Sequence, residues 1–242
     1  MKNFAFLACA AVMMGAASEA QAVLFTWTGN SNVSGQSLDV SADFTAVGNV
    51  LTIVLTNNSP QASNNPADTL GSLFWDLSGV TFSQPDAGNN VSQGASTVTL
   101  ANAPYTDPYD LNKEYMYEDN VTLQSINFGH GVSSVGIGIF GTNSDTFYER
   151  MKGLGDAGSQ AGDAFSISSS FGTLGAANNV PVVNNAVTFT LVGNGPIDVN
   201  SISNVAFSFG SGAQTTSIVP EPASLAALGF GAVALLRRRR KV

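Results

Sequence analysis

The chain has 242 residues and a formal net charge of −8, with 9 Lys and Arg set against 17 Asp and Glu. A surface of that sign is repelled by nucleic acid and by anionic headgroups, which excludes electrostatic binding of phosphate backbones. One cysteine, Cys9, and one histidine, His130, exclude a disulfide framework and a zinc site assembled from three or four His and Cys ligands.

In chain order, Lys2 supplies a positive n-region, Phe4 to Ala17 an apolar h-region, and Ala20-Gln21-Ala22 a small-x-small cleavage site. Residues 1–22 therefore read as a secretory signal peptide, which makes signal peptidase a partner and Val23 the expected mature terminus. Reading Phe6-Leu7-Ala8-Cys9 as a lipoprotein site leaves only about five apolar residues ahead of the cysteine, against the roughly 7 to 15 of an ordinary h-region. Cys9 leaves with the leader, so the exported body is thiol-free. Residues 23–217 keep Lys113, Arg150 and Lys152 against 15 carboxylates, a net charge of −12.

The body reads as β throughout. Strands are expected near Val23 to Thr28, then as a hairpin within Gln36 to Asn57, where Leu51, Ile53 and Leu55 alternate with Thr52, Val54 and Thr56 and Val47-Gly48-Asn49 supplies the turn. Further strands are expected at Leu70 to Leu77, Ser96 to Leu100, Glu114 to Tyr117, Ser134 to Phe140 and Ala164 to Phe171. The alternations Val187/Phe189/Leu191 and Val205/Phe207/Phe209 add two more. Each strand should bury one face. Gly136 and Gly138 suggest a close backbone approach or a bulge, and Thr146 to Lys152, capped by Asp145 or Ser144 and stopped by Gly153, is the one expected helix. Loops rich in Asn, Gly, Ser and Pro give no sign of a second domain. The economical fold is all-β: a single antiparallel, jelly-roll-like β-sandwich.

Two places in the body could carry chemistry. His130, within Phe128-Gly129-His130-Gly131, could join Ser133 or Ser134 and an aspartate in a nucleophilic set, but no Gly-x-Ser-x-Gly elbow is present, and a lone histidine in a glycine-rich turn is usually structural or exposed. Asp107, Asp110, Glu114, Glu118 and Asp119, interleaved with Tyr105, Tyr109, Tyr115 and Tyr117, offer oxygens suited to Ca²⁺ and aromatic faces suited to sugars. No EF-hand or nonapeptide spacing accompanies them, and a solvated acidic loop explains them as well. Trp27 and Trp75 read as core.

The last 24 residues are the most specific. Val219-Pro220-Glu221-Pro222 leads into an uncharged, largely apolar run from Ala223 to Leu236, closed by Arg237-Arg238-Arg239-Arg240-Lys241. As a helix the 14-residue run spans about 21 Å, short of a hydrocarbon core about 30 Å thick. The prolines deny it an N-terminal extension, and the basic cluster holds the other end in the cytoplasm. An ordinary anchor with a basic flank would explain the run and the charges, but not the Pro-Glu-Pro.

This tail resembles the PEP-CTERM sorting domain of bacterial exosortase substrates, with all three parts in order over residues 218–242. The resemblance implies transient residence in the inner membrane, a hydrophobic sorting helix, and a cut near the motif by a cysteine-protease-like exosortase. It further implies delivery of the body to the cell surface or to an extracellular, biofilm-forming polymer. Less specifically, the body resembles exosortase-dependent surface proteins through Ala42-Asp43-Phe44-Thr45, Leu51 to Asn57, Pro66-Ala67-Asp68-Thr69-Leu70, Phe74-Trp75-Asp76, Val187 to Leu191 and Ile202-Ser203-Asn204-Val205; no catalytic residue carries over. The expectation is a non-catalytic surface or matrix protein with no cofactor. A calcium- or carbohydrate-binding module and a secreted hydrolase are the alternatives.

Overall fold

A computed structural model describes residues 20–63, 65–83, 92–93, 98–100, 115–134, 166–169, 181–210 and 215–218. Within them run β1 (Gln21–Asn30), β2 (Ser37–Val47), β3 (Val50–Asn57), β4 (Leu70–Asp76), β5 (Phe82–Ser83), β6 (Ser92–Gln93) and β7 (Val98–Leu100). They are followed by β8 (Met116–Leu123), β9 (Ile126–Ser133), β10 (Ile167–Ser168), β11 (Pro181–Asn184), β12 (Ala186–Gly193), β13 (Ser203–Phe209) and β14 (Thr215–Ile218). Two short 3₁₀ turns, Pro66–Asp68 and Val199–Ser201, complete the described elements. The strands form two sheets. One has the order β1-β2-β3-β12-β5, with β6 also on β12; the other has the order β14-β13-β4-β10-β11-β7, with β9 on β4 and β8 on β9. Every described pairing is antiparallel except β10 with β11, where Ile167 faces Val183 in parallel, a departure from the all-antiparallel expectation.

In the first sheet the sequence alternation becomes a buried face. β2 buries Leu38, Val40, Ala42, Phe44 and Ala46, β3 buries Leu51, Ile53 and Leu55, and β12 buries Val187, Phe189 and Leu191. Serine, threonine and aspartate occupy most of the opposite face, as a half-buried sheet requires. The β2–β3 hairpin closes as expected: Val47 pairs with Val50 across Gly48-Asn49, and Gly48 has φ 63°, where the missing Cβ removes the steric penalty. These side chains share one cluster with Leu70, Leu73, Trp75, Val132, Ile167, Val183, Val205, Phe207 and Phe209 of the second sheet. Edge-to-face rings tie the layers, with Phe44 5.7 Å from Trp75 and Tyr115 5.0 Å from Phe189, while Phe25 packs edge-on against Phe44 within the first sheet. Trp75 is fully buried, whereas Trp27 is only partly buried against the rim, 5.7 Å from Phe209.

The second sheet corrects the one-face expectation. β4 is buried on both sides, because Phe74 and Ala206 turn away from the main core and form a second cluster with Val121, Leu123 and Phe128 of the β8–β9 hairpin. Gly131 makes that approach possible: a Cβ there would stand 2.7 Å from Phe74 Cδ1 and 3.2 Å from Val121 Cγ2. Gly131→Ala is therefore expected to cost about 1–3 kcal/mol of overpacking, read as a lower urea midpoint at unchanged m-value.

Chain ends and connections follow local chemistry. β1 begins at Gln21, two residues ahead of the expected mature terminus, with Gln21 opposite Ala46 and Ala22 opposite Thr45. The Pro66–Asp68 turn is held by the Asn65 side chain accepting from the Ala67 amide at 2.9 Å and by Ser34 donating to Asp68 at 2.8 Å. Asp76 binds three strands together, accepting from the Gly129 amide at 2.6 Å and from Asn204 Nδ2 at 3.1 Å. The expected helix Thr146 to Lys152, the strand Ser134 to Phe140 beyond Ser134, and Gly136 and Gly138 lie outside the described residues.

Candidate functional site

The acidic loop is brought only partly into view. Asp107, Asp110 and Glu114 lie outside the described residues, while Glu118 and Asp119 sit on β8. Burial and the neighbouring Asp119 charge raise the Glu118 carboxyl above its ordinary range. Among the described residues no three of His, Cys, Asp and Glu converge as a metal cluster.

What does converge is a set of three different side chains. Tyr117 and Asp119 stand two apart on β8 and share a face, and Asp119 is the direct cross-strand partner of His130 on β9. His130 in turn lies opposite Trp75 on β4, so one row crosses three strands. His130 is buried at 4% exposure. Its Nδ1 lies 2.7 Å from Tyr117 Oη and 3.0 Å from Asp119 Oδ1, and Tyr117 also donates to Asp119. Its Nε2 lies 3.1 Å from the Leu77 carbonyl. Trp75 and Phe82 close the imidazole in, at centroid distances of 5.6 and 5.2 Å, Phe82 reaching over from β5 of the opposite sheet. Burial first, then the hydrogen bond and charge of Asp119, push the Tyr117 phenol well above its ordinary range.

The structure moves His130 from the expected glycine-rich turn to the middle of β9. Ser133 and Ser134 are buried and bond elsewhere: Ser133 shares a 2.6 Å contact with Ser72, and Ser134 reaches the Gly71 carbonyl and Ser166, both at 3.3 Å. Neither is a hydrogen-bond partner of His130, so the serine sets weighed from sequence are not assembled there. Tyr117 and Asp119 were visible only as members of the acidic loop; their i, i+2 spacing is the signal that puts both on one face of a strand.

The expected leader junction and the C-terminal tail lie at the two margins of the described residues. Ala20 precedes β1 and Ala22 lies within it. At the other end β14 pairs with β13, Ile218 opposite Ala206, and is the last described element. Val219, Pro220, Glu221, Pro222, the apolar run and Arg237 to Lys241 lie outside the described residues. Among the described residues no helix is long and apolar enough to cross a membrane.

No match was found among curated proteins or among solved structures. A family model, the PEP-CTERM protein-sorting motif, matches residues 219–241. That stretch begins one residue after β14 ends and takes in the Pro-Glu-Pro, the apolar run and the basic cluster. The chain thus carries at its C-terminal end the PEP-CTERM protein-sorting motif that marks an exported protein for an exosortase.

Proposed function

We propose that the chain is a non-catalytic surface or matrix protein, a β-sandwich body of residues 23–217 between a removable leader (1–22) and a removable sorting tail (218–242). Signal peptidase takes the leader, the tail holds the precursor transiently in the inner membrane, and an exosortase cuts near Pro220-Glu221-Pro222. The body then resides at the cell surface or in the extracellular polysaccharide layer. The observation that carries this reading is the sorting motif at 219–241, which starts directly after the last described strand. A 14-residue uncharged run too short for a comfortable span suits a segment that is handed on rather than kept.

Deletion of residues 220–242 tests it. The truncated protein is expected to keep the urea midpoint of the processed body and to disappear from the envelope fraction into the medium or periplasm. Unchanged surface display of the truncated chain would overturn the proposal.

A further inference from the structure

Four residues, Val219 to Pro222, separate the end of β14 from the apolar run that begins at Ala223. Fully extended they reach about 14 Å, and the exosortase cut falls among them. An enzyme that cuts a chain lays residues on both sides of the bond along its own cleft, much as a sheet takes up an added strand. Here the residues ahead of the motif are already committed: Thr215, Thr216, Ser217 and Ile218 pair with Phe209, Ser208, Phe207 and Ala206. With the apolar run in the membrane on one side and a closed sandwich on the other, the cleft has too little free chain to grip.

We propose that β14 is a releasable strand, which lifts off β13 to hand the exosortase the residues ahead of Pro220 and closes on the body again once the tail is gone. The inference rests on the sorting function proposed above. Among the described residues β14 stands at the end of its sheet with β13 as its one partner strand, while β13 keeps β4 on its other side, so the sandwich survives the loss. The ladder also stops at the motif for local reasons. Asn204 has φ 50° and the β13 register shifts between Ser203 and Ala206; Pro220, which would come opposite Asn204, has no amide hydrogen to donate. Opening therefore starts from an end that cannot zip further, where strands part most readily. Freeing the four residues Thr215–Ile218 doubles the reach of the tether to about 28 Å.

The test locks the strand in the full chain. The exported body has no cysteine of its own, so two introduced thiols can meet only each other. Ser208→Cys with Thr216→Cys places them on directly opposed residues, whose Cα atoms in an antiparallel pair stand about 4.5–5.5 Å apart, within the roughly 4.4–6.8 Å that a disulfide spans. Ser208 Oγ has no hydrogen-bond partner among the described residues, so replacing it breaks no bond. The oxidised double variant is expected to lose trimming and collect as full-length precursor in the inner membrane, while each single variant is trimmed like the wild type and reductant restores the double one. A locked chain with a Gly-Ser spacer of about eight residues after Ile218, reaching about 28 Å, should be trimmed with its disulfide intact, which separates a held strand from a misfolded body. Trimming of the oxidised double variant at the wild-type rate would overturn the proposal. So would a spacer chain that stays uncut, or thiols that fail to join under oxidant. A wild-type chain that is never trimmed would instead bring down the sorting function, and this inference with it.

Discussion

Trp75→Ala is expected to remove about 3–5 kcal/mol of stability, a large part of the roughly 5–15 kcal/mol that holds an ordinary domain together. Trp75 is fully buried at the meeting point of the layers, with Phe44 at 5.7 Å, His130 at 5.6 Å and Tyr117 at 6.4 Å between ring centroids. Removing the indole opens a cavity walled by other aromatic rings, which cannot collapse without leaving their rotamers. Its Nε1 has no hydrogen-bond partner among the described residues, so packing holds the ring. Trp75→Phe should therefore cost clearly less than the alanine change, because no hydrogen bond is lost with the pyrrole. Urea denaturation of both variants, followed by near-UV dichroism, checks the order; equal losses, or an alanine loss below about 1 kcal/mol, would contradict this placement of the core.

Replacing Pro220, Glu221 and Pro222 together by alanine is expected to stop processing outright while leaving the folded body intact. The substitution keeps the apolar run and all five cations, so the chain still stalls in the inner membrane with its basic end in the cytoplasm. It also removes two prolines that would break a helix, so that, on the proposed helical reading of the apolar run, nothing stops that helix from extending backward. Full-length precursor should then accumulate in the inner membrane, seen as an intact mass that includes the tail. Normal trimming of this variant would mean that the hydrophobic run and its charges are the whole signal. Together with the deletion, the triple change separates an address read by an enzyme from a plain anchor, because an anchor is indifferent to the Pro-Glu-Pro.

How far the fold could be read in the residues depended on whether a strand buries one face or two. Leu51-Thr52-Ile53-Val54-Leu55 and Val187-Thr188-Phe189-Thr190-Leu191 alternate because β3 and β12 have one face on the core and one facing out, and both were legible. β4 reads Leu-Gly-Ser-Leu-Phe-Trp-Asp and is buried along nearly its whole length; its existence was legible, its second apolar layer was not. The β8–β9 hairpin was the larger omission. It turns at Gln124 and Ser125, both at positive φ (49° and 69°), where Asn and Gly are the usual residues, so the sequence carries no turn signal. Gly129 and Gly131 then looked like the turn. They are instead strand positions where neighbouring side chains come close, Asp76 Oδ1 at 3.4 Å from a Cβ built on Gly129 and Phe74 at 2.7 Å from one on Gly131. Misplacing that turn hid the Tyr117, Asp119 and His130 row, since cross-strand partners are invisible until the register is known. The tail was legible for the opposite reason: its parts are contiguous in sequence and need no folding to be recognised.

The first strand has a consequence for timing. Ala22 and Val23 are both inside β1, paired with Thr45 and Phe44, and a protease needs its substrate backbone extended and unclaimed by neighbouring strands. A leader severed after Ala22 must be severed while that segment is still threading outward, before β2 arrives to zip onto it. A precursor that folded first would bury its own scissors mark, so removal of the proposed leader would be a race between a peptidase and a hairpin.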